Sequence, residues 1–406
     1  FTLPLAVVLP LAAGIITVQC AVSGAGQLEI YWGDNSDTET VLLADTPQLL
    51  THTFDNKVRD RRRIRWFTDA CFRSIDWSGL KPRSLVLVQT LPVEELEQIL
   101  QNAAAYKRAQ DEHRAANAAA GQSMQKAEQE ADGMPEGKVI FPEADLIGLN
   151  MEGPFITPVK KGAQDEKNIV PCNVEIAKRF LKASEGLVKF IGIAPEESSE
   201  AVAFIQEMKD SVDISLAHTN ADYDTAMAAF AAGANHAVHL YNAMPAFTHR
   251  APGVIGAVAD SRHVMVELIC DNVHIHPAVV RATFAMMGAD RMVLISDSMR
   301  ATGMPDGTYT LGGLDVSVNG NRATLVDGGA LAGSVTNLMD CMRTVVKVMK
   351  IPLETAVACA TANPARCLGV YDTYGSISEG KKADIVLLDE DLELKMVIKD
   401  GQLPFL

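Results

Sequence analysis

Paired cysteines are absent from this 406-residue sequence: it has seven cysteines, and none forms a C-x-x-C pair. They are scattered along the chain, at Cys20, Cys71, Cys172, Cys270, Cys341, Cys359 and Cys367. An odd, scattered set argues against a disulfide framework or a structural zinc site, and it predicts a reducing, cytoplasmic location. No G-x-G-x-x-G follows an early strand, so nothing supports a dinucleotide-binding fold.

Charged residues are missing from the first 28 positions. Such a stretch could be read as a signal peptide or a membrane span. However, it has no basic segment at its start, and Pro4 and Pro10 interrupt it. We therefore favour strands of a small sheet in this part of the chain. No long apolar run occurs elsewhere, so the sequence predicts no contact with a membrane.

Positive charge is scarce, with 36 Lys and Arg against 51 Asp and Glu and a formal net charge of -15. A surface this acidic repels phosphate backbones, which argues against a nucleic-acid partner. A phosphorylated small molecule would need a local basic pocket. The hydrophobic content of 48% allows a sizeable core, in one large domain plus a small one or in two medium domains.

Short apolar runs alternate with amphipathic helical stretches from Leu146 onward. Near-continuous apolar strands joined by helices predict a parallel sheet that is buried on both faces. Six such units in series favour an α/β fold, a (β/α)8 TIM-type barrel with two further units upstream. A doubly wound open sheet is the alternative. The six runs are Leu146–Asn150, Val188–Ile193, Val212–Ala217, Ala237–Leu240, Val264–Ile269 and Met292–Ile295.

Polar side chains stand at the ends of these runs. Glu152 follows the first run, His218 the third and Asp297 the sixth, and the fourth run contains His239. In a parallel barrel these ends share one rim, where active sites are built. One Glu and two His form a ligand set for a catalytic divalent metal, and the remaining Asp can handle protons. A single His after a strand is more often a core residue, but four such groups at successive strand ends favour a site.

In these runs the sequence resembles the N-acetylglucosamine-6-phosphate deacetylases of the amidohydrolase superfamily. The order and spacing of the matching segments agree over roughly residues 146 to 401. Each segment alone is weak, but the combination is highly specific. The segments are Met151–Phe155, Lys160–Gly162, Leu216–Thr219, His239–Met244, Arg250–Gly253, Cys270–His274, Ile295–Ser298 and Leu331–Ser334.

The resemblance implies a role for each matching residue. Glu152, His218 and His239 are the expected metal ligands, and Asp297 is the expected general base and then general acid. The resemblance also implies six substrate contacts. Asn242 and Ala243 would hold the sugar phosphate. Arg250 and His274 would bind its phosphate group, with His274 reaching in from a second subunit. Leu331 would cover the acetyl group, and Gln164 stands where many members have a His that contacts the sugar.

The first part of the chain departs from the family. Members end the first barrel strand with an H-x-H pair, or with a related polar pair where only one metal is held, and residues 55–90 contain no such pair. Residues 1–84 do not align with the family. We expect them to supply part of a small β-sandwich and the first barrel strand, residues 85–369 to form the metallohydrolase barrel, and residues 370–406 to complete the sandwich.

The function implied by the resemblance is metal-dependent deacetylation of N-acetylglucosamine 6-phosphate. The resemblance also implies one divalent metal ion, which we expect to be zinc, with iron, manganese or cobalt as alternatives. It further implies a homodimer. Two alternatives stay open. The chain could be another amidohydrolase, acting on a different N-acyl or cyclic amide substrate. It could also be a non-catalytic sugar-phosphate binding remnant, given its atypical N-terminal third.

Overall fold

The computed structural model describes residues 7–10, 16–22, 26–31, 39–43, 48–54, 65–68, 91–128 and 145–401, and side-chain surroundings only within 91–112 and 145–401. The chain divides into two compact units. The first comprises Phe1–Arg83 and Asn102–Phe141, and the second comprises Ser84–Gln101 and Pro142–Leu406. The apolar run Ser84–Pro92, where we expect the second barrel strand, lies almost entirely outside the described residues.

Short antiparallel sheets form the described part of the first unit. Strand β2 lies between β1 and β5, and β3 lies between β4 and β6. Strands therefore occur where we favoured them over a signal peptide or a membrane span. The prediction that residues 1–84 supply part of a β-sandwich stays a prediction. The strands are β1 (Val7–Pro10), β2 (Ile16–Val22), β3 (Gly26–Tyr31), β4 (Glu39–Leu43), β5 (Gln48–Phe54) and β6 (Arg65–Thr68).

Helix α1 (Val93–Glu128) follows, and it is rich in strong helix formers such as Ala, Gln, Glu and Lys. Two acidic residues in its first turn, Glu94 and Glu95, favour the helix N-terminus. Within the second unit, Glu97 receives two hydrogen bonds of 2.7 Å from the Arg179 guanidinium. No helix among the described residues is both long and apolar enough to cross a membrane.

The second unit is built on a six-stranded sheet in which all neighbours are parallel. Helices α2 to α6 connect its successive strands. The strands are β7 (Leu149–Phe155), β8 (Val188–Ile193), β9 (Asp213–Leu216), β10 (His236–Ala237), β11 (Met265–Ile269) and β12 (Met292–Ile295). The helices are α2 (Val174–Ala183), α3 (Ala201–Met208), α4 (Tyr223–Ala232), α5 (Gly253–Asp260) and α6 (Pro277–Met287).

The strand order distinguishes between the two predicted architectures. Strands β7 to β12 lie side by side in chain order, without a reversal. A doubly wound sheet requires a point at which the strand order reverses, whereas a barrel wall advances by one strand per unit. The described sheet is therefore six consecutive strands of a barrel wall.

Burial explains why these segments form strands and helices. Val188–Ile193 has a single half-buried residue, and Ile191 and Ile193 are fully enclosed. On the helical side, Phe180 and Phe204 pack against Phe155 of β7, with ring centroids 6.4 and 5.5 Å away. The first predicted run is corrected, because the strand is Leu149–Phe155 and not Leu146–Asn150. Glu152 consequently lies within a strand and not just after one.

A three-stranded antiparallel sheet that the sequence analysis did not predict follows the barrel strands. It consists of β13 (Gly307–Leu311), β14 (Leu314–Asn319) and β15 (Arg322–Leu325). The turn after β13 is Gly312–Gly313, and both glycines have the positive φ that a tight hairpin requires. Val316 and Val318 of β14 pack with Met299 and Ala301, which follow β12. The sheet is thereby fixed beside the end of β12.

Three helices and a hairpin complete the described chain. They are α7 (Leu338–Lys347), α8 (Leu353–Ala360), α9 (Ala362–Cys367), β16 (Ile385–Leu388) and β17 (Leu394–Ile398). Strands β16 and β17 pair antiparallel, and the prediction that residues 370–406 complete a β-sandwich stays a prediction. Just after β17, the Lys399 ammonium lies 3.0 Å from Asp384 and 3.3 Å from Asp145, which precedes β7. These ion pairs connect the hairpin to the start of the barrel strands.

Candidate metal centre

Three buried side chains converge at the carboxyl ends of the parallel strands. Glu152 comes from β7, while His218 and His239 each lie two residues after the end of a strand, β9 and β10. One ligand atom of each lies within 4.8 Å of the other two. Glu152 is 4% exposed, His218 7% and His239 4%. The predicted ligand set is therefore assembled in one enclosed place.

The His218 ring is oriented by a backbone group. Its Nδ1 lies 2.7 Å from the carbonyl oxygen of Lys160, and a carbonyl can only accept, so Nδ1–H donates. In the neutral ring, Nε2 then carries a lone pair, and it faces the Glu152 carboxylate at 3.0 Å. A histidine that donates one ring N–H to a carbonyl while the other nitrogen faces a centre has the arrangement typical of metal ligands.

The His239 ring faces the same carboxylate oxygen. Its Nε2 contacts Oε1 of Glu152, and the ring stands nearly perpendicular to the His218 ring, with centroids 4.9 Å apart. Its buried Nδ1 has no hydrogen-bond partner among the described residues. With both rings neutral, the centre consists only of acceptors, and a divalent cation suits such a donor set. The residues present therefore fit a metal ion.

Opposing effects set the pKa values in this centre without a metal. Burial raises the pKa of the Glu152 carboxyl, but the charges and hydrogen bonds of both histidines outweigh it and hold that pKa well below its usual range. Burial lowers the pKa of His239, but the Glu152 carboxylate reverses this and raises it to about 9. Without a metal, His239 therefore carries a proton at neutral pH.

Asp297, two residues after β12, is the fourth group of the site. Burial, with the Glu152 charge adding to it, raises the pKa of its carboxyl to about 7. A carboxyl with a pKa near neutrality can accept a proton in one step and return it in another. The Asp297 turn is fixed by the segment that follows Leu331, since Ser334 N donates to the Asp297 carbonyl at 2.7 Å.

The backbone is strained at the three residues that follow strand ends. His218, His239 and Asp297 have φ values of 44°, 31° and 50°, in the left-handed region that side-chain-bearing residues rarely adopt. Such conformations cost on the order of 1–3 kcal/mol each and persist where the surroundings fix them. Each left-handed residue turns the chain at a strand end and so places its side chain at the centre.

Most of the predicted substrate contacts surround the same cavity, which has a volume of about 380 Å³. Its lining includes the ligands and Asp297. The candidate contacts that also line it are Gln164, Asn242, Ala243, His274 and Leu331. The structure thus brings nine of the ten predicted site residues together.

Arg250 is the residue that the structure does not bring to this cavity. It is exposed, and its guanidinium lies 2.6 Å from Nε2 of His249. His274 lines the cavity of its own chain, where Asp271 holds it through a contact of 2.8 Å to its Nδ1. The expected contact of His274 across a subunit boundary stays a prediction.

Several residues of the site were missed by the sequence analysis. Lys160 provides the carbonyl that orients His218, and it also lines the cavity, as Gly162 does. Its place in the segment Lys160–Gly162, which the resemblance had already singled out, was the available signal. Met299 and Leu311 also line the cavity. Leu311 belongs to the unpredicted sheet, so no pattern in the sequence placed it at the cavity.

Comparison with known proteins gives consistent matches. Residues 138–403 match the model of the amidohydrolase family. The N-acetylglucosamine-6-phosphate deacetylase of Bacillus subtilis (strain 168) is 39% identical over 264 residues, 65% of this chain and 66% of that protein. The N-acetylgalactosamine-6-phosphate deacetylase of Escherichia coli O157:H7 is 35% identical over 262 residues, 64% of this chain and 69% of that protein. The chain thus spans about two thirds of the length of these curated relatives.

Solved structures match over a larger part of the chain. The N-acetyl-D-glucosamine-6-phosphate deacetylase from Mycobacterium smegmatis superposes with a TM-score of 0.66 at 31% identity, covering 78% of this chain and 75% of that one. The corresponding deacetylase from Thermotoga maritima gives a TM-score of 0.64 at 29% identity, over 79% of this chain and 77% of that one. Together with the strand order, these likenesses confirm the predicted barrel and the predicted resemblance.

Proposed function

The chain belongs to the amidohydrolase family, and we propose that it hydrolyses the acetamide of N-acetylglucosamine 6-phosphate to glucosamine 6-phosphate and acetate. The convergence of Glu152, His218 and His239 with Asp297 in one cavity carries this proposal. A carboxylate, two imidazoles and a separate proton-handling carboxyl are the groups that metal-assisted amide hydrolysis requires. The relatives named as deacetylases of 6-phosphorylated amino sugars support the substrate.

The three ligands would hold one divalent ion, with zinc as the first choice because it favours such a nitrogen-rich set with an open position. When bound there, the ion would polarise the amide carbonyl and activate the attacking water. His218 is fixed for this role by Lys160, and His239 must give up its proton before its Nε2 can bind. Iron, manganese or cobalt are alternatives with similar ligand requirements.

Asp297 would move the proton. Its carboxylate takes a proton from the water as the oxygen attacks the acetyl carbon. The protonated Asp297 then gives that proton to the nitrogen as the C–N bond breaks, so that the amine leaves neutral. Burial favours this cycle, because it raises the pKa of Asp297 to about 7 and makes both steps accessible at neutral pH.

Substrate recognition would use the rest of the cavity. Gln164, Asn242 and the backbone at Ala243 offer hydrogen-bonding groups for the sugar, and Leu331 offers an apolar surface for the acetyl methyl. The phosphate would bind His274, with Arg250 as a second cation from the exposed loop before α5. Since the chain is acidic overall, these local contacts must attract the anion.

An alternative substrate is the epimer N-acetylgalactosamine 6-phosphate. A relative that is 35% identical bears the name of a deacetylase of that sugar. The two sugars differ only in the orientation of one hydroxyl, which does not change the chemistry at the acetamide. The same residues would therefore catalyse both reactions, and the sugar contacts would decide between them.

Acetate release tests the proposal directly. The full chain, loaded with zinc, is assayed on four sugars: the glucosamine and galactosamine forms, each with and without the 6-phosphate. We expect release from a 6-phosphorylated sugar, loss of release with a chelator, and recovery when zinc is returned. Release from neither phosphorylated sugar by metal-loaded protein contradicts the proposal, and a preference for the galactose epimer replaces the first substrate with the second.

Assembly and location are part of the proposal. We propose a homodimer, following the resemblance. We propose a cytoplasmic location because the described cysteines, Cys172, Cys270, Cys341, Cys359 and Cys367, are free thiols, as in a reducing compartment.

A further inference from the structure

We propose that Glu267 is a positioning residue that fixes the metal ligand His239 from beneath the site. This inference rests on the proposed metal-dependent function. Glu267 lies in the middle of β11 and is 6% exposed, between the fully buried Val266 and Leu268. A carboxylate in the middle of an apolar strand is costly unless it is hydrogen-bonded. Its partners therefore show what it does.

Glu267 holds the His239 turn at two points. Its carboxylate Oε2 accepts a hydrogen bond from the His239 backbone N–H at 3.3 Å. Its own carbonyl accepts the next backbone N–H, from Leu240, at 2.9 Å. Between these bonds lies the φ of 31° at His239, which is unfavourable for a residue with a side chain. The two hydrogen bonds satisfy the backbone N–H groups of His239 and Leu240, and both groups point towards Glu267 only in this turned conformation.

The same carboxylate also reaches the strand that carries Glu152. Its Oε1 accepts from Nδ2 of Asn150 at 3.2 Å, and Asn150 lies two residues before Glu152 on β7. Strands β7 and β11 are not neighbours in the sheet, since three strands separate them. The contact therefore crosses the interior of the barrel. Through the Glu267 carboxylate, the strand that carries Glu152 is linked to the backbone of His239.

A buried histidine completes this network. Nε2 of His236 lies 2.9 Å from Oε1 of Glu267, and its Nδ1 lies 3.3 Å from the Cys367 sulfur at the end of α9. Three donors thus converge on two carboxylate oxygens. A carboxylate accepts from all three, whereas an amide of the same shape offers one oxygen and turns an NH2 group towards at least one donor. The site therefore requires Glu and not merely a polar side chain.

Metal affinity should therefore depend on Glu267, although this residue is not one of the three proposed metal ligands. Groups that orient metal ligands from outside usually contribute about 10- to 100-fold to metal affinity. Without Glu267 the His239 turn would relax from its left-handed conformation, and the imidazole would be less often in place. Excess metal should compensate by selecting the productive conformation.

The test compares zinc dissociation constants of the full chain by competition with a chromophoric chelator. The variants are Glu267→Met, which keeps the length and removes every acceptor, and Glu267→Gln, which keeps the shape. Cys367→Ala is the matched control, because it disturbs the same network through His236 and leaves the bonds to His239 and Asn150 intact. Unfolding temperatures with chelator present report the stability of each metal-free variant.

We expect Glu267→Met to weaken zinc binding about 10- to 100-fold and Glu267→Gln to weaken it less. The zinc dissociation constant of Cys367→Ala should stay within about twofold of the wild-type value, because this change leaves the bonds from Glu267 to His239 and Asn150 in place. At saturating zinc, kcat of Glu267→Gln should return towards the wild-type value. If Glu267→Met does not fold, Glu267→Gln alone decides the comparison.

Zinc affinity of the Glu267 variants equal to that of the wild type overturns the inference. So does a loss in Cys367→Ala as large as in Glu267→Gln, because the network would then support the core and not the ligand. Failure of the proposed function looks different. Wild-type protein that binds zinc but releases no acetate contradicts the function and leaves the comparison of affinities intact.

Discussion

Burial beside the Glu152 carboxylate changes the pKa values of two side chains in the site, Asp297 and His239. The Asp297 carboxyl is buried beside another carboxylate, and its pKa is raised to about 7. His239 is buried beside that same carboxylate, Glu152, and its pKa is raised to about 9. The two shifts would have opposite effects on the proposed roles. Asp297 would become a better proton carrier, whereas His239 would have to lose a proton before it could bind a metal.

Asp297→Asn should retain the metal and lose deacetylation by several orders of magnitude. Asn keeps the shape of the side chain but cannot accept a proton, and general acid–base catalysis alone is worth about 100- to 10,000-fold. The measurement is kcat on the 6-phosphorylated sugar, with metal content determined on the same preparation. Near-normal turnover would remove Asp297 from the mechanism.

Metal binding should strengthen as the pH rises from 7 to 9. Below about pH 9 the His239 imidazole is protonated, and that proton must leave before the ring can bind a metal. The apparent affinity should therefore rise about tenfold per pH unit and level off above pH 9. Chelator competition at several pH values measures this slope, and calorimetry in buffers of different ionisation enthalpy counts the released proton. An affinity independent of pH would show that His239 is neutral in the metal-free protein.

At the scale of secondary-structure elements, the sequence predicted the strands better than the turns after them. Val188–Ile193 and Met292–Ile295 have the predicted bounds, because an apolar run buried on both faces ends where burial ends. Glu152 was placed after a strand but lies in one, where the pairing with β8 is irregular. Such irregularities depend on the neighbouring strand, so the local sequence does not reveal them.

His218, His239 and Asp297 could be predicted as candidates because each lies two residues after a strand, whereas the residues that support them could not. Glu267 looked like one more position in the apolar run Val264–Ile269. A charge inside a buried strand was the available signal, but its three partners come from β7, from β10 and from the turn after β10, and they are distant in the sequence. The sheet β13–β15 was missed because it interrupts the barrel repeat, which predicts a helix after each strand.

The loop before α5 gives a prediction on the phosphate. Arg250→Ala should lower kcat/KM on the 6-phosphorylated sugar about 10- to 150-fold, the range for one charge-assisted hydrogen bond, and should barely affect the unphosphorylated sugar. His274→Ala should act in the same direction. Arg281→Ala, an exposed arginine on α6, is the control. Equal losses on both sugars for Arg250→Ala would mean that it supports the fold and not the phosphate.

At the scale of the whole molecule, the two units differ in how far the sequence explains them. The barrel unit contains all the predicted site residues, and its match to relatives begins near residue 138. Most of residues 55–90, where the family's H-x-H pair is expected, lies outside the described residues. Periodicity could therefore establish the barrel wall, and the contribution of the first part of the chain to the barrel stays a prediction.

About one tightly held divalent ion per chain is expected for the full-length protein. Among the described residues, one buried Glu-His-His set is suited to a metal, and the other candidate group, Asp145, Asp384 and Asp400, is exposed in part and neutralised by Lys399. Elemental analysis of protein purified without added metal measures the ratio. Two ions per chain would contradict this prediction and would place further ligands in the first part of the chain.

The left-handed backbone at His218, His239 and Asp297 affects which substitutions such a sequence accepts during evolution. At each of these positions glycine would relieve the conformational strain, and asparagine would relieve part of it. Folding alone would therefore favour replacement, and only the chemistry of the site opposes it. A duplicated copy that is released from its catalytic task should lose these three side chains early, before its barrel core changes, and still remain folded.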